Sequence, residues 1–186
     1  DKFERRTFVI EAWDGLDALG VTRIMGKDVL KLASDERAVC PMPSQGRLNL
    51  DMTAIATSFT VTPSGVGADY DTSGFVRIGS EVMSYTRSGD VFTIVRGQRN
   101  TIAATHKQLD TVQLCKDFVG QTSQNIVYEL LTTFAGVDAS YIDKAAWDAE
   151  QVGYLPRLYN AIITTPTGVS KLITELSEQV GFFLYW

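Results

Sequence analysis

The chain contains one histidine, His106, so any imidazole acid–base chemistry must run through it. Asp110 follows four residues later, and Thr101 and Thr105 stand close by. Together they offer the residue types of a base, an orienting acid and a hydroxyl nucleophile, the set a hydrolase would need. No Gly-x-Ser-x-Gly elbow or comparable nucleophile turn accompanies them. The sequence therefore favours a loop histidine that bonds backbone carbonyls and pins a long loop.

The other candidate groupings are thinner. Asp69-Tyr70-Asp71 alternates oxygen donors as a calcium loop would, but the further ligands and distal glutamate are missing, and a solvated turn is the better reading. Gly65-Val66-Gly67 echoes a phosphate-binding loop, yet it runs into Ala68-Asp69-Tyr70-Asp71, whose acids repel phosphate. Glu81, Asp148, Glu150 and Glu175 would serve paired-carboxylate glycosidase chemistry only if folding brought two together, and each reads first as an exposed charge. Tyr70, Tyr85, Tyr141 and Tyr154 could line a sugar-binding face, although packing explains aromatics more often. Cys40 and Cys115 lie far apart and in no Cys-x-x-Cys pair, so they read as small buried hydrophobes rather than a disulfide or metal ligands. No catalytic, cofactor-binding or metal-binding residue is assigned.

At 186 residues, with 45% hydrophobic and 21% charged residues, the chain suits one large or two small folded domains. Such a length buries roughly 70% of the unfolded surface. A formal charge of −5 argues against a nucleic-acid surface, which carries a basic stripe. Glu4-Arg5-Arg6, Lys107 and Lys116 read as solvated surface. No apolar run reaches the roughly 18 residues of a membrane span. The absence of an initiator methionine and of a signal peptide, together with the aromatic ending, leads to the expectation of a piece of a longer polypeptide.

Positioning elements follow from periodicity. Period-two alternation predicts strands over Phe8–Trp13, Arg47–Leu50, Ser58–Thr62, Phe75–Ile78, Glu81–Thr86, Val91–Val95 and Thr111–Cys115. Arg87-Ser88-Gly89-Asp90 is a hairpin turn with Gly89 at positive φ, and the stretch from Arg96-Gly97 to Asp110 is a long loop. Val29–Ala33 reads as a short helix near Asp28, Pro41–Gly46 as an extended loop, and Pro63–Ala68 as a flexible turn. After Cys115 the period lengthens. Ser123 caps a helix with Ile126, Val127, Leu130, Leu131 and Phe134 on one face, closed by Gly136. A second helix covers Lys144–Val152, and a strand follows at Tyr159–Thr165. A third helix, capped by Thr167 and ended by Gly181, carries Val169, Leu172, Ile173, Leu176 and Val180, and Phe182–Trp186 forms a last strand.

The predicted class is α+β. A mostly β N-terminal region, residues 1–117, holds a small antiparallel sheet or barrel over about 58–115, and a smaller α+β region, residues 118–186, continues beyond the fragment.

One set of residues resembles a unit that recurs in tail proteins of long-tailed bacteriophages. It comprises Ile78-Gly79-Ser80-Glu81, Tyr85-Thr86-Arg87, Thr93-Ile94-Val95-Arg96-Gly97, Thr101 with Ala104-Thr105-His106, and Val112-Gln113. Gly26–Ala33 with Ala38–Pro41, and Val127–Leu131 through Leu176–Gly181, are similar to the flanking parts of tail-tip or baseplate hub proteins. The resemblance implies a structural, non-enzymatic subunit of the virion tail that is assembled in the bacterial cytoplasm. It implies partners among other tail proteins and copies of itself, commonly as a trimer, contact with the host cell surface, and no specific nucleic-acid binding. It brings no catalytic residue, metal or cofactor. A receptor- or carbohydrate-binding tail component, and then a cell-wall hydrolase domain, are the competing expectations.

Overall fold

The computed structural model describes residues 8–184. In chain order the strands are β1 (Val9–Asp14), β2 (Arg23–Lys27), β3 (Val39–Cys40), β4 (Arg47–Leu48), β5 (Ser58–Thr62), β6 (Ser73–Ile78), β7 (Glu81–Ser88), β8 (Val91–Gln98), β9 (Gln113–Leu114), β10 (Lys116–Thr122), β11 (Leu158–Ile163) and β12 (Thr167–Gly168). The α-helices are α1 (Ser123–Glu129), α2 (Lys144–Tyr154) and α3 (Val169–Val180). The class is α+β and mostly β, with 35% strand and 27% helix. The chain divides into two units. One runs up to Val39, resumes over Gln121–Leu158 and again from Gly168, and the other comprises Cys40–Gly120 and Tyr159–Thr167.

The second unit is built on a curled antiparallel half-barrel whose six strands lie in the order β4-β5-β8-β7-β6-β9. Alternation makes this sheet one-sided. In β8, Phe92 and Ile94 point into the core while Val91 and Val95 are exposed. Phe92 is the centre of the core: it stacks on Phe59 with ring centroids 5.0 Å apart and meets Tyr70 edge-on at 5.2 Å and Tyr85 at 4.9 Å. Two of the four tyrosines considered for a sugar-binding face, Tyr70 and Tyr85, are therefore core residues, 2% and 3% exposed, with Tyr70 Oη donating to the Val112 carbonyl at 2.5 Å. Tyr141 and Tyr154, in the other unit, are exposed.

Two-residue turns fix the register. Ser88 pairs with Val91 around Gly89-Asp90, and Ile78 pairs with Glu81 around Gly79-Ser80. Gly89 and Gly79 both have φ +59, at the first loop position where a II′ turn places its glycine. The turn region after Pro63 is a 3-10 turn, Val66–Asp69, and is firmly held. The Asp90 carboxylate accepts from the Gly65 N–H at 2.7 Å and the Gly67 N–H at 2.8 Å. Those amides, the groups a phosphate loop would offer, are already taken.

The first unit contains the β1–β2 hairpin and the helices. The face of α1 continues through one π turn, Leu130–Phe134, and buries Ile126, Val127, Leu130 and Leu131 before Gly136 ends it at φ +69. Asp143 caps α2 by accepting from the Ala146 N–H at 3.0 Å. The apolar stripe of α3 buries Val169 and Ile173, and Gly181 closes the helix in the left-handed region at φ +82.

Several local expectations are corrected. Thr122, not Ser123, is the N-cap of α1, and Gly168 precedes α3 while the Thr167 hydroxyl donates to the Thr165 carbonyl at 2.9 Å. Strands β2 and β10 fall where the sequence predicted none. Phe182–Leu184 forms no strand; Tyr185 and Trp186, the rest of that expected strand, lie outside the described residues, as does Glu4-Arg5-Arg6.

Candidate functional site

Just before the long loop, the last residues of β8 carry a distortion of the sheet: the strand continues past the predicted end at Val95 to Gln98. Between the pairs Val82↔Gln98 and Ser84↔Val95 the ladder slips, so Arg96-Gly97 together oppose Met83. This bulge needs a glycine: Gly97 has φ +60, and a Cβ there would lie 3.2 Å from the Thr101 carbonyl oxygen. Its consequence is to aim both the Arg96 side chain and the Gly97 N–H at the start of β7, where Glu81 sits.

Glu81 has no exposed surface. Arg96 grips its carboxylate with two bonds, Nε to Oε1 at 2.8 Å and Nη2 to Oε2 at 2.7 Å. The Gly97 N–H donates to Oε1 at 3.0 Å, the Ala104 N–H to Oε2 at 3.0 Å, and His106 Nε2 to Oε2 at 2.8 Å. Five donors converge on two oxygens, which uses their lone pairs in full. Burial alone would raise the Glu81 pKa. The bonds from Arg96, Ala104, His106 and Gly97 outweigh it and bring the carboxyl down to about 2.

The same residues tie separate segments together. Arg96 Nη1 donates to the Thr53 carbonyl at 2.6 Å, and Nη2 also reaches the Ala104 carbonyl. The backbone of His106 forms a reciprocal bridge with Met52, N to O at 2.9 and 2.8 Å. Thr101 turns the loop back: its hydroxyl accepts from the Val82 N–H at 3.0 Å and donates to the Gln98 carbonyl at 2.7 Å. Residues 46–52 and 106–112 then run alongside each other through Val112 N to Gly46 O, Leu48 N to Asp110 O and Leu109 N to Leu48 O.

Two expectations are overturned by this arrangement. Glu81 is not an exposed charge but the most enclosed carboxylate described. His106 does pin the loop, but its ring bonds a carboxylate rather than backbone carbonyls. Asp110 does not orient the histidine; its carboxylate accepts from the Lys107 N–H at 2.8 Å. The Thr101 hydroxyl is occupied by backbone groups. Asp148 is bonded to Lys144 and Gln124, and Glu175 lies 3.8 Å from Lys171, so these carboxylates are engaged along helix surfaces. Cys40 and Cys115 are both buried and in no disulfide, and burial pushes the Cys115 thiol up to about 12. Among the described residues no group of three or more His, Cys, Asp or Glu could hold a metal.

No family model, curated protein or solved structure matches this chain. The site must speak through its own geometry. Chemically it is a clasp. An acid, a base and a guanidinium are present, but the acid accepts from five fixed donors and the imidazole is 6% exposed. Such a network holds backbone in place, with every member satisfied.

Proposed function

We propose that this chain is a structural component of the tail tip or baseplate hub of a long-tailed bacteriophage, assembling with copies of itself and other tail proteins around the tail axis. The observation that carries this reading is the identity of the clasp. Glu81, Arg96, Gly97, Ala104 and His106 are residues of the unit that resembles phage tail proteins, and they converge on one buried carboxylate. On this reading the pattern encodes a stiffened loop framework rather than a reaction centre. An assembly subunit needs loops that hold their shape against neighbours, and long loops left unpinned would lose entropy on docking.

The test is localisation in the particle. An antibody raised against the 186-residue chain should label the distal end of tails in electron micrographs of phage particles from the source bacterium. Labelling of fibres away from the axis, or specific capture on a glycan array, would favour a receptor-binding role. Solubilisation of purified cell wall by the chain, abolished by His106→Ala, would overturn the structural reading in favour of a hydrolase.

A further inference from the structure

We propose that the β1–β2 hairpin pairs edge to edge with the hairpins of neighbouring copies of this chain, β1 of one copy against β2 of the next. The hairpin carries apolar side chains that nothing among the described residues covers: Ile10, Trp13 and Ile24 are 63%, 72% and 58% exposed. Trp13 lies opposite Ile24 and Ile10 opposite Gly26, so these groups form one continuous apolar face. A two-stranded ribbon alone is marginal in water, and among the described residues no third strand pairs with either edge.

Charge selects the partner edge. Strand β1 carries Glu11 and Asp14, and β2 carries Arg23 and Lys27. Antiparallel pairing of β2 with another β2 sets Arg23 opposite Lys27, and pairing of β1 with another β1 brings the two Glu11 side chains together near its centre. Like charges so placed are destabilising. Pairing β1 with a neighbour's β2 in the hairpin's own register sets Asp14 opposite Arg23, as it is within the hairpin, and continues the antiparallel alternation. The contact uses two different edges, so each copy retains a donor and an acceptor edge, and the arrangement closes into a ring where the rotation permits. The apolar faces of successive hairpins then join into one surface.

The pairing is drawn from the hairpin alone, while a count of three copies rests on the tail-tip reading. The test uses the full 186-residue chain. Light scattering after size exclusion measures the number of copies, and chains with Ala12→Cys and Met25→Cys, residues that face each other across the ladder, are mixed and oxidised. The expected result is a discrete oligomer in which the mixed disulfide exceeds either self-disulfide by about tenfold, and which Asp14→Arg weakens by about tenfold. A monomer at every concentration, or self-disulfides equal to the mixed one, overturns the pairing. An oligomer of another number with the mixed disulfide keeps the pairing and removes the trimer, and a trimer without the mixed disulfide does the reverse.

Discussion

Replacing Glu81 by Gln keeps the volume of the side chain and removes its charge. The Arg96 guanidinium, whose side chain is 11% exposed, then faces an amide with a single acceptor oxygen. Whichever way that amide turns, its NH2 opposes donors among Arg96, Gly97, Ala104 and His106. Removing one partner of a buried ion pair costs about 3–5 kcal/mol. A second route reaches a similar figure. The folded carboxyl titrates at about 2 against an ordinary 4.5, a gap worth about 3 kcal/mol at roughly 1.4 kcal/mol per tenfold in proton affinity. Because folding lowers this pKa, the unfolded chain takes up the proton first as pH falls. The stabilisation is complete above about pH 4.5 and is lost as pH drops through about 2. The assay is urea unfolding followed by near-ultraviolet circular dichroism of Tyr70 and Tyr85, since Trp13, Trp147 and Trp186 lie outside Cys40–Gly120. With a slope of about 2 kcal/mol per molar urea, Glu81→Gln should lower the midpoint at neutral pH by about 1.5–2.5 M. The difference from the parent protein should shrink steadily toward about pH 2. A midpoint change under about 0.5 M, or a difference that does not vary with pH, would refute the clasp as a stabilising ion pair.

Other outcomes follow from the same geometry. His106→Ala removes one donor and leaves the Arg96–Glu81 pair, so unfolding should show a smaller loss, about 1–3 kcal/mol, with faster amide exchange at Met52 and His106. Gly97→Ala forces a Cβ into a positive-φ bulge 3.2 Å from the Thr101 carbonyl, and should cost about 1–3 kcal/mol by the same urea measurement. Phe92→Ala empties the centre of the aromatic cluster, and thermal unfolding should report about 3–5 kcal/mol of destabilisation. Burial raises the phenol pKa of both Tyr70 and Tyr85, so alkaline titration followed in the ultraviolet should find two tyrosines that ionise only as the sheet unfolds.

Much of the sheet was legible because alternation and turn chemistry agree at Ser58–Thr62, at Gly79 and at Gly89. The helices following Thr122 were legible from their apolar stripes and from Gly136 and Gly181. Strand β2 was not, because Arg23-Ile24-Met25-Gly26-Lys27 has charged ends and an interior glycine, both of which argue against a strand. Strand β10 was hidden for a similar reason, with Gly120 in its interior. The Glu81 site escaped because a carboxylate at a strand end reads as solvated, and its burial is decided by a loop that folds back from residues 15 to 25 positions away. One signal could have shown it. Gly97 falls in the loop when the strand is ended at Val95, but reads as a bulge if that strand is carried on to Gln98, and a bulge next to an arginine asks what that arginine has been turned toward.

The clasp also bears on the order in which the chain folds. Its bonds span 15 to 25 residues within β7, β8 and the loop, and the strip it supports joins residues 46–52 to 106–112 across some of the longest separations in that unit. A charge buried before its partners arrive is strongly unfavourable, so Glu81 cannot be enclosed until the β7–β8 hairpin and the returning loop are both in place. The clasp is therefore expected to close late, after the rate-limiting barrier. In refolding kinetics, Glu81→Gln should leave the folding arm of the chevron nearly unchanged and raise the unfolding rate at every urea concentration, while a matching drop in the folding rate would show that the clasp closes earlier. What a static picture presents as a pin is, in time, a latch that governs how long the folded sheet persists.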